Sequence, residues 1–253
     1  MNPEPVNSKT LSSDDVEYRN RAAALFERDE RPLHSRLDGF PKYASRQSIE
    51  LFLTRYEIFK RIQGVAGSIV ECGVLYGDGI LSWAKFCSVF EPYNHTRRIV
   101  GFDTFAGFPD ISEADRATGE RGHSMLQKGS FAGSSVESVR EAVAVYDMNR
   151  ALNKIPKVEL VEGDISVTAG SYLADNPHLV VAMLYLDLDL YAPTREAIRA
   201  FLPRMPRGAV IVFDELNYEA FPGETQAVME EIGVSNLRIE RLPFSSRVTF
   251  ATL

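Results

Sequence analysis

The sequence predicts an α/β protein, a doubly wound, Rossmann-like sheet of about seven strands with the last one antiparallel, preceded by a helical N-terminal arm. Three observations carry this. From residue 68 onward, short apolar runs alternate with segments of helical period, the order that builds a parallel sheet with helices on both faces. The run Leu179 to Leu186 is unbroken and rich in Val and Leu, as a central strand buried on both faces requires. The first apolar run leads straight into Gly73-Val-Leu-Tyr-Gly77-Asp-Gly79, a strand-to-helix turn whose glycines let backbone approach a ligand at a helix N-terminus.

A chain of 253 residues, 45% hydrophobic and 25% charged, fits one large globular domain with an appendage. The division falls at residue 45, with 1–45 as a partly flexible arm able to act as a lid and 46–253 as the α/β domain. A net charge of −7 argues against nucleic acid or an anionic membrane as partner. No apolar run reaches the length of a membrane span and the polar N-terminus carries no signal peptide, so a cytoplasmic location is expected. Cys72 and Cys87 both lie in apolar stretches and read as buried free thiols.

Residues 1–20 are polar and read as loose, 21–28 as a short helix, and Asp29 to Tyr43 as an irregular arm. From Arg46, the residues Ile49, Phe52, Leu53, Tyr56, Phe59 and Ile62 recur at three- and four-residue steps, and Gly64 and Gly67 end that helix. Ser68 to Cys72 is the first strand, followed by a helix from Ile80 to Phe90. Arg98 to Asp103 is the second strand. Thr104 to Ser135 has little periodicity and reads as a long loop, of the kind that forms active-site lids. A helix over Val136 to Asp147 leads to the third strand from Lys157, then an acidic turn and a helix to Leu173. After the central strand, Pro193 suits the first position of a helix to Leu202. Ala209 to Phe213 is a strand and Thr225 to Ile232 a helix. Leu237 to Leu242 and Arg247 to Leu253 close the chain as a tightly joined, hence antiparallel, pair.

The chemistry concentrates at strand ends. Beyond Leu186 the pattern alternates strictly, putting Tyr185, Asp187, Asp189 and Tyr191 on one side of an extended chain. Two carboxylates would thus leave the strand at its carboxyl end, where open α/β sheets bind ligands. The strand ending at Phe213 also runs into acids, Asp214-Glu215. Four carboxylates in one space raise one another's pKa unless a cation sits among them, and carboxylates without His or Cys favour a hard ion such as Mg²⁺. The plainer alternative is acids that cap strand ends and touch water. Asp103, ending the second strand, suits a ribose diol, or else a turn. Asp164 suits an exocyclic amine, or else a helix cap for which Ser166 competes.

Ile69-Val-Glu-Cys-Gly-Val-Leu-Tyr-Gly77, Gly101-Phe-Asp-Thr-Phe-Ala-Gly-Phe-Pro109, Gly129-Ser-Phe131, Leu186-Asp-Leu-Asp-Leu-Tyr191 and Phe213-Asp-Glu215 occur in that order. This set resembles the macrocin O-methyltransferase family, over roughly residues 40 to 235. The resemblance implies a class I methyltransferase domain that uses S-adenosyl-L-methionine and Mg²⁺ to methylate hydroxyls of sugars on natural products. It further implies that Glu71, Gly73 and Gly77 line the methionine end of the cofactor, with Asp103 on its ribose and Asp164 on its adenine amine. Asp187, Asp214 and Glu215 would hold the metal, and Asp189 would be the general base, or else a fourth metal ligand or an outer-shell acceptor. Glu215 stands where many members have a second Asp, and Leu216 to Gln226 matches the family less well.

The implied reaction is in-line methyl transfer to an oxygen, with the metal orienting two neighbouring hydroxyls of a small-molecule, glycosylated acceptor. His123 in the long loop is a second candidate base; Tyr43, Arg46 and Tyr191 are candidates for the acceptor pocket. A homo-oligomer is compatible with the chain. Three other readings compete. Asp-x-Asp at a strand end also serves metal-dependent glycosyltransferases and phosphohydrolases, although here it follows a complete cofactor half. A non-catalytic or dehydrogenase-like nucleotide binder is disfavoured because the glycines are spaced G-x-x-x-G-x-G. An O-methyltransferase acting on a non-sugar diol such as a catechol shares the metal chemistry.

Overall fold

The structure is a computed structural model and describes residues 12–116, 125–245 and 247–253. The chain forms two compact units, residues 1–53 and 54–253, with the division inside one helix. His123 lies outside the described residues. No described helix is long and apolar enough to cross a membrane.

The first unit holds α1 (Ser13–Arg28), α2 (Leu33–Asp38) and the start of α3 (Arg46–Ile62). α1 begins earlier than its composition predicts because Ser12 and Asp15 form a reciprocal capping box, satisfying donors that polar side chains would otherwise leave to water. It buries no residue, so the apolar period that marks a helix is missing from its sequence. The expected irregular arm contains α2 and a 3₁₀ turn at Phe40–Lys42. Asp29 gathers Arg31, Lys42 and the Tyr43 hydroxyl, and these donors hold its carboxyl far below the usual range.

The second unit contains the sheet. Its elements are β1 (Ser68–Cys72), α4 (Asp78–Phe90), β2 (Ile99–Asp103), α5 (Val136–Asp147), β3 (Val158–Glu162), α6 (Ile165–Asp175), β4 (Val181–Leu186), α7 (Tyr191–Phe201), β5 (Val210–Phe213), α8 (Pro222–Glu231), β6 (Glu240–Arg241) and β7 (Thr249–Thr252). The strand order is β3-β2-β1-β4-β5-β7-β6. β1 to β5 are parallel, and β7 inserts antiparallel between β5 and the two-residue β6. The doubly wound seven-strand expectation is met. β6 is shorter than Leu237 to Leu242 because only Glu240 and Arg241 pair with β7.

β1, β4 and β5 are buried at every position, β4 and β5 as unbroken apolar runs and β1 with Ser68 and Glu71 among its buried residues. On one face Phe102, Leu184, Leu186, Phe201 and Phe213 join a continuous core. On the other, Trp83 lies 5.7 Å from Tyr185 between ring centroids, and Phe59 packs on Phe86 at 5.5 Å. Arg97, only 2% exposed, donates to the carbonyls of Ile62, Val65 and Gly67 and so fixes the turn that follows α3. Strand order reverses between β1 and β4, so the carboxyl ends of these two neighbours frame the crevice where such sheets bind ligands.

Candidate active site

The crevice is built against the turn after β1. Asp187 donates its N–H to the Cys72 carbonyl at 2.9 Å, locking the end of β4 beside β1. Gly73 (φ 96°) leaves no room for a side chain, since a Cβ would fall inside the Asp187 carbonyl. The turn ends at Gly77 (φ 89°), the left-handed N-cap of α4. Glu71, 3% exposed, tucks beneath that helix N-terminus, where the Trp83 indole N–H and the Ile80 N–H donate to it. Burial outweighs these donors and pushes its carboxyl up to about 7. Asp103 at the end of β2 accepts from Val74 and Leu75 N–H at 2.6 and 2.9 Å through one oxygen. Its other oxygen accepts from Phe105 N–H at 2.7 Å. Asp164 is the N-cap of α6, accepting from Ser166 N–H at 2.9 Å; Ser166 therefore donates to this cap and does not compete for it.

The acids converge as the parallel register dictates. Leu186 pairs with Phe213, so Asp187 and Asp214 leave adjacent strands at one level. One oxygen from each of Asp187, Asp214 and Glu215 lies within 4.8 Å of the others, and among the described residues these three form the convergent set. Burial, then Asp214, raise Asp187 and Glu215 well above the ordinary carboxylate range. Three further side chains complete the arrangement, of which Arg247 and Glu224 are unforeseen in the sequence. Arg247, just before β7, pairs with Asp214 and stands 3.8 Å from Glu215, while Tyr185 donates its hydroxyl to the other Asp214 oxygen at 2.8 Å. Glu224, fully buried in the first turn of α8, accepts the Glu215 N–H at 3.0 Å. Oε2 of Glu215 and Oε2 of Glu224 are buried without a hydrogen-bond partner. Buried carboxylate oxygens that lack donors, with no His or Cys among them, fit a hard divalent cation.

The alternation expected through Tyr191 fails. β4 ends at Leu186, and Asp189 takes φ 60°, with Leu190 N–H bonded to Leu188 O across it at 2.6 Å. That is a γ-turn with a left-handed centre, the rarer and more strained form. Asp189 is therefore not one strand period beyond Asp187, and it stands apart from the convergent three. It is 8% exposed, and burial, followed by Asp214, lifts it to about 7 against the opposing Arg247. Tyr191 opens α7 two residues ahead of Pro193, and its hydroxyl donates to Glu230. Leu75, Phe105, Asp189 and Asn217, all non-glycine residues with positive φ, occupy the loops after β1, β2, β4 and β5. Strain of this kind persists where surroundings over-determine it, as at binding sites.

The long loop closes onto these ends. Asp115, 1% exposed, accepts the Tyr191 N–H at 2.6 Å and holds Ser112 through its other oxygen. Gly223 permits this approach, because a Cβ there would collide with Asp115. Ser134 N–H bonds the Leu75 carbonyl at 3.1 Å, tying the loop to the glycine turn as well.

Residues 56–235 match the family described as macrocin O-methyltransferase (TylF). The crystal structure of CalS11, a calicheamicin methyltransferase, superposes with a TM-score of 0.90 at 31% identity, covering 96% of this chain and 93% of that one. An apo structure of CalS11, described as a TDP-rhamnose 3'-O-methyltransferase, gives 0.82 at 28% identity, covering 96% and 95%. A curated relative, demethyldecarbamoylnovobiocin O-methyltransferase of Streptomyces niveus, is 26% identical over 151 residues, 60% of this chain. The chain spans about half the length of that relative, 53%. With the family's pattern matched over more than half its length, the chain belongs to the macrocin O-methyltransferase family.

Proposed function

We propose that the protein transfers the methyl group of S-adenosylmethionine to a sugar hydroxyl of a small-molecule acceptor, with a divalent cation held by Asp187, Asp214 and Glu215. The observation that supports this most is the convergence of these three carboxylates beside the glycine turn, in a chain of this family. S-adenosylmethionine brings an already activated methyl group, so the protein's own work is alignment and removal of the hydroxyl proton. A hard cation such as Mg²⁺, when bound, supplies Lewis-acid polarisation and a template for neighbouring hydroxyls.

Asp103 holds the ribose diol through its oxygens while bracing the turn at Val74 and Leu75. Asp164 accepts from the adenine amine at the start of α6. Gly73 and Gly77 let backbone approach the methionine end, and Glu71 fixes the α4 N-terminus beneath it. Asp189 takes the hydroxyl proton at its carboxylate, and a group near neutrality suits that exchange. Its separation from the three convergent acids leaves it free for this. The CalS11 description as a TDP-rhamnose 3'-O-methyltransferase favours a nucleotide-linked deoxysugar as acceptor, and the novobiocin relative an antibiotic precursor. The reading includes a cytoplasmic enzyme with small-molecule partners.

The test is methyl transfer from isotopically labelled S-adenosylmethionine to TDP-rhamnose, read by mass spectrometry with Mg²⁺ and with EDTA. Labelled sugar in Mg²⁺ and none in EDTA is expected. Equal transfer in both, or transfer to a catechol in preference to the sugar, overturns the reading.

A further inference from the structure

One half-buried arginine beside the crevice has no task in the proposed reaction. Arg55 lies on α3, one turn before Ile58 and Phe59 and two before Ile62, all three fully buried. It therefore shares the face that packs toward the sheet. Phe59 leads through Phe86 to Trp83, whose indole N–H holds Glu71. Arg55 thus points to the carboxyl ends of β1 and β4, with Glu71, Tyr185, Asp187 and Asp214 as its charged and polar surroundings.

Its Nε is buried with no hydrogen-bond partner. A structural counter-ion would satisfy this nitrogen on a nearby acid, yet none of the surrounding acids accepts from it. Glu71 accepts from Trp83 and Ile80, while Asp214 accepts from Tyr185 and is ion-paired with Arg247. A guanidinium is costly to withdraw from water unless a planar acceptor meets its fork of donors.

We infer that Arg55 receives the α-carboxylate of the cofactor's methionine group. The match is chemical: that end carries one carboxylate and one ammonium; the acids of the crevice suit the ammonium, Arg247 is already paired with Asp214, and Arg55 is the neighbouring cation whose Nε still lacks an acceptor. A guanidinium meets a carboxylate through two parallel N–H···O bonds. The inference rests on the proposed use of S-adenosylmethionine and extends it to a residue that no family motif quoted above contains.

The test compares two ligands by calorimetry, S-adenosylhomocysteine and its decarboxylated analogue, which keeps the ammonium and lacks only the carboxylate. Native protein should bind S-adenosylhomocysteine about 10- to 100-fold more tightly, the range of a charged hydrogen bond. In Arg55→Gln that preference should collapse to within about twofold, with analogue binding retained as proof of a folded site. If Arg55→Gln does not fold, the native protein still decides, since equal affinity for both ligands overturns the inference. So does an Arg55→Gln protein that keeps the native preference. Native protein that binds neither ligand removes the cofactor reading itself, a different failure.

Discussion

Glu71 provides a perturbation whose size follows from its surroundings. Its carboxyl is pushed from an ordinary 4.5 up to about 7 in the folded protein, chiefly by burial. Below pH 4.5 both folded and unfolded chains hold the proton, and the folded state gives up nothing. Between pH 4.5 and 7 the unfolded chain has released it and the folded chain has not, so stability falls as pH rises through this window. At about 1.4 kcal/mol per pH unit, the loss reaches about 3 kcal/mol and is complete above pH 7. Glu71→Gln mimics the protonated side chain and should remove this slope. Urea unfolding of both proteins in EDTA, at pH 5 and pH 8, measures it. The variant should gain about 3 kcal/mol on the native protein between the two pH values, and the subtraction cancels the other buried acids. A constant difference would show that Glu71 is ionised in the fold at both pH values, and the burial argument would be wrong.

Arg247→Gln should lower the stability of metal-free protein by about 1–2 kcal/mol, less than for a fully buried pair because the arginine is half exposed. Mg²⁺ should close most of that gap in melting temperature, and a gap unchanged by Mg²⁺ would separate Arg247 from the cation site. Asp115→Ala should cost about 2–3 kcal/mol in urea unfolding, because it leaves the Tyr191 N–H without its acceptor; a cost below about 0.5 kcal/mol would mean water replaces the carboxylate. Asp103→Ala should weaken S-adenosylhomocysteine binding by about 1–3 kcal/mol, through lost ribose contacts and a loosened turn. Unchanged affinity in calorimetry would remove Asp103 from the site.

Most of this framework is legible in the chain because buried parallel strands need apolar runs, clearest in β4 and β5, with glycines and acids punctuating the strand ends. The level meeting of Asp187 and Asp214-Glu215 follows from two adjacent strands ending together. Other features are hidden for physical reasons. α1 has no buried face, so its sequence lacks an apolar period. Leu186-Asp-Leu-Asp-Leu190 imitates a strand, while the actual path turns at Asp189, which nothing local reveals. Glu224, Arg247 and Asp115 reach the site across 9, 33 and 76 residues of sequence, respectively, counted to the partners they hold. Arg247 gave no motif to find, and Glu224 and Asp115 resemble ordinary first-turn acids.

The central claim is that Asp187 serves the cation and Asp189 the proton. Methyl transfer by Asp187→Asn and Asp189→Asn, followed against Mg²⁺ concentration at two pH values, tests it most directly. Asp187→Asn should regain part of its rate as Mg²⁺ rises. Asp189→Asn should bind metal and cofactor yet stay about 10²- to 10⁴-fold slow at every Mg²⁺ concentration, with some recovery at the higher pH, where the medium can take the proton. If both variants respond to Mg²⁺ alike, Asp189 is a metal ligand and the division of labour proposed here is wrong.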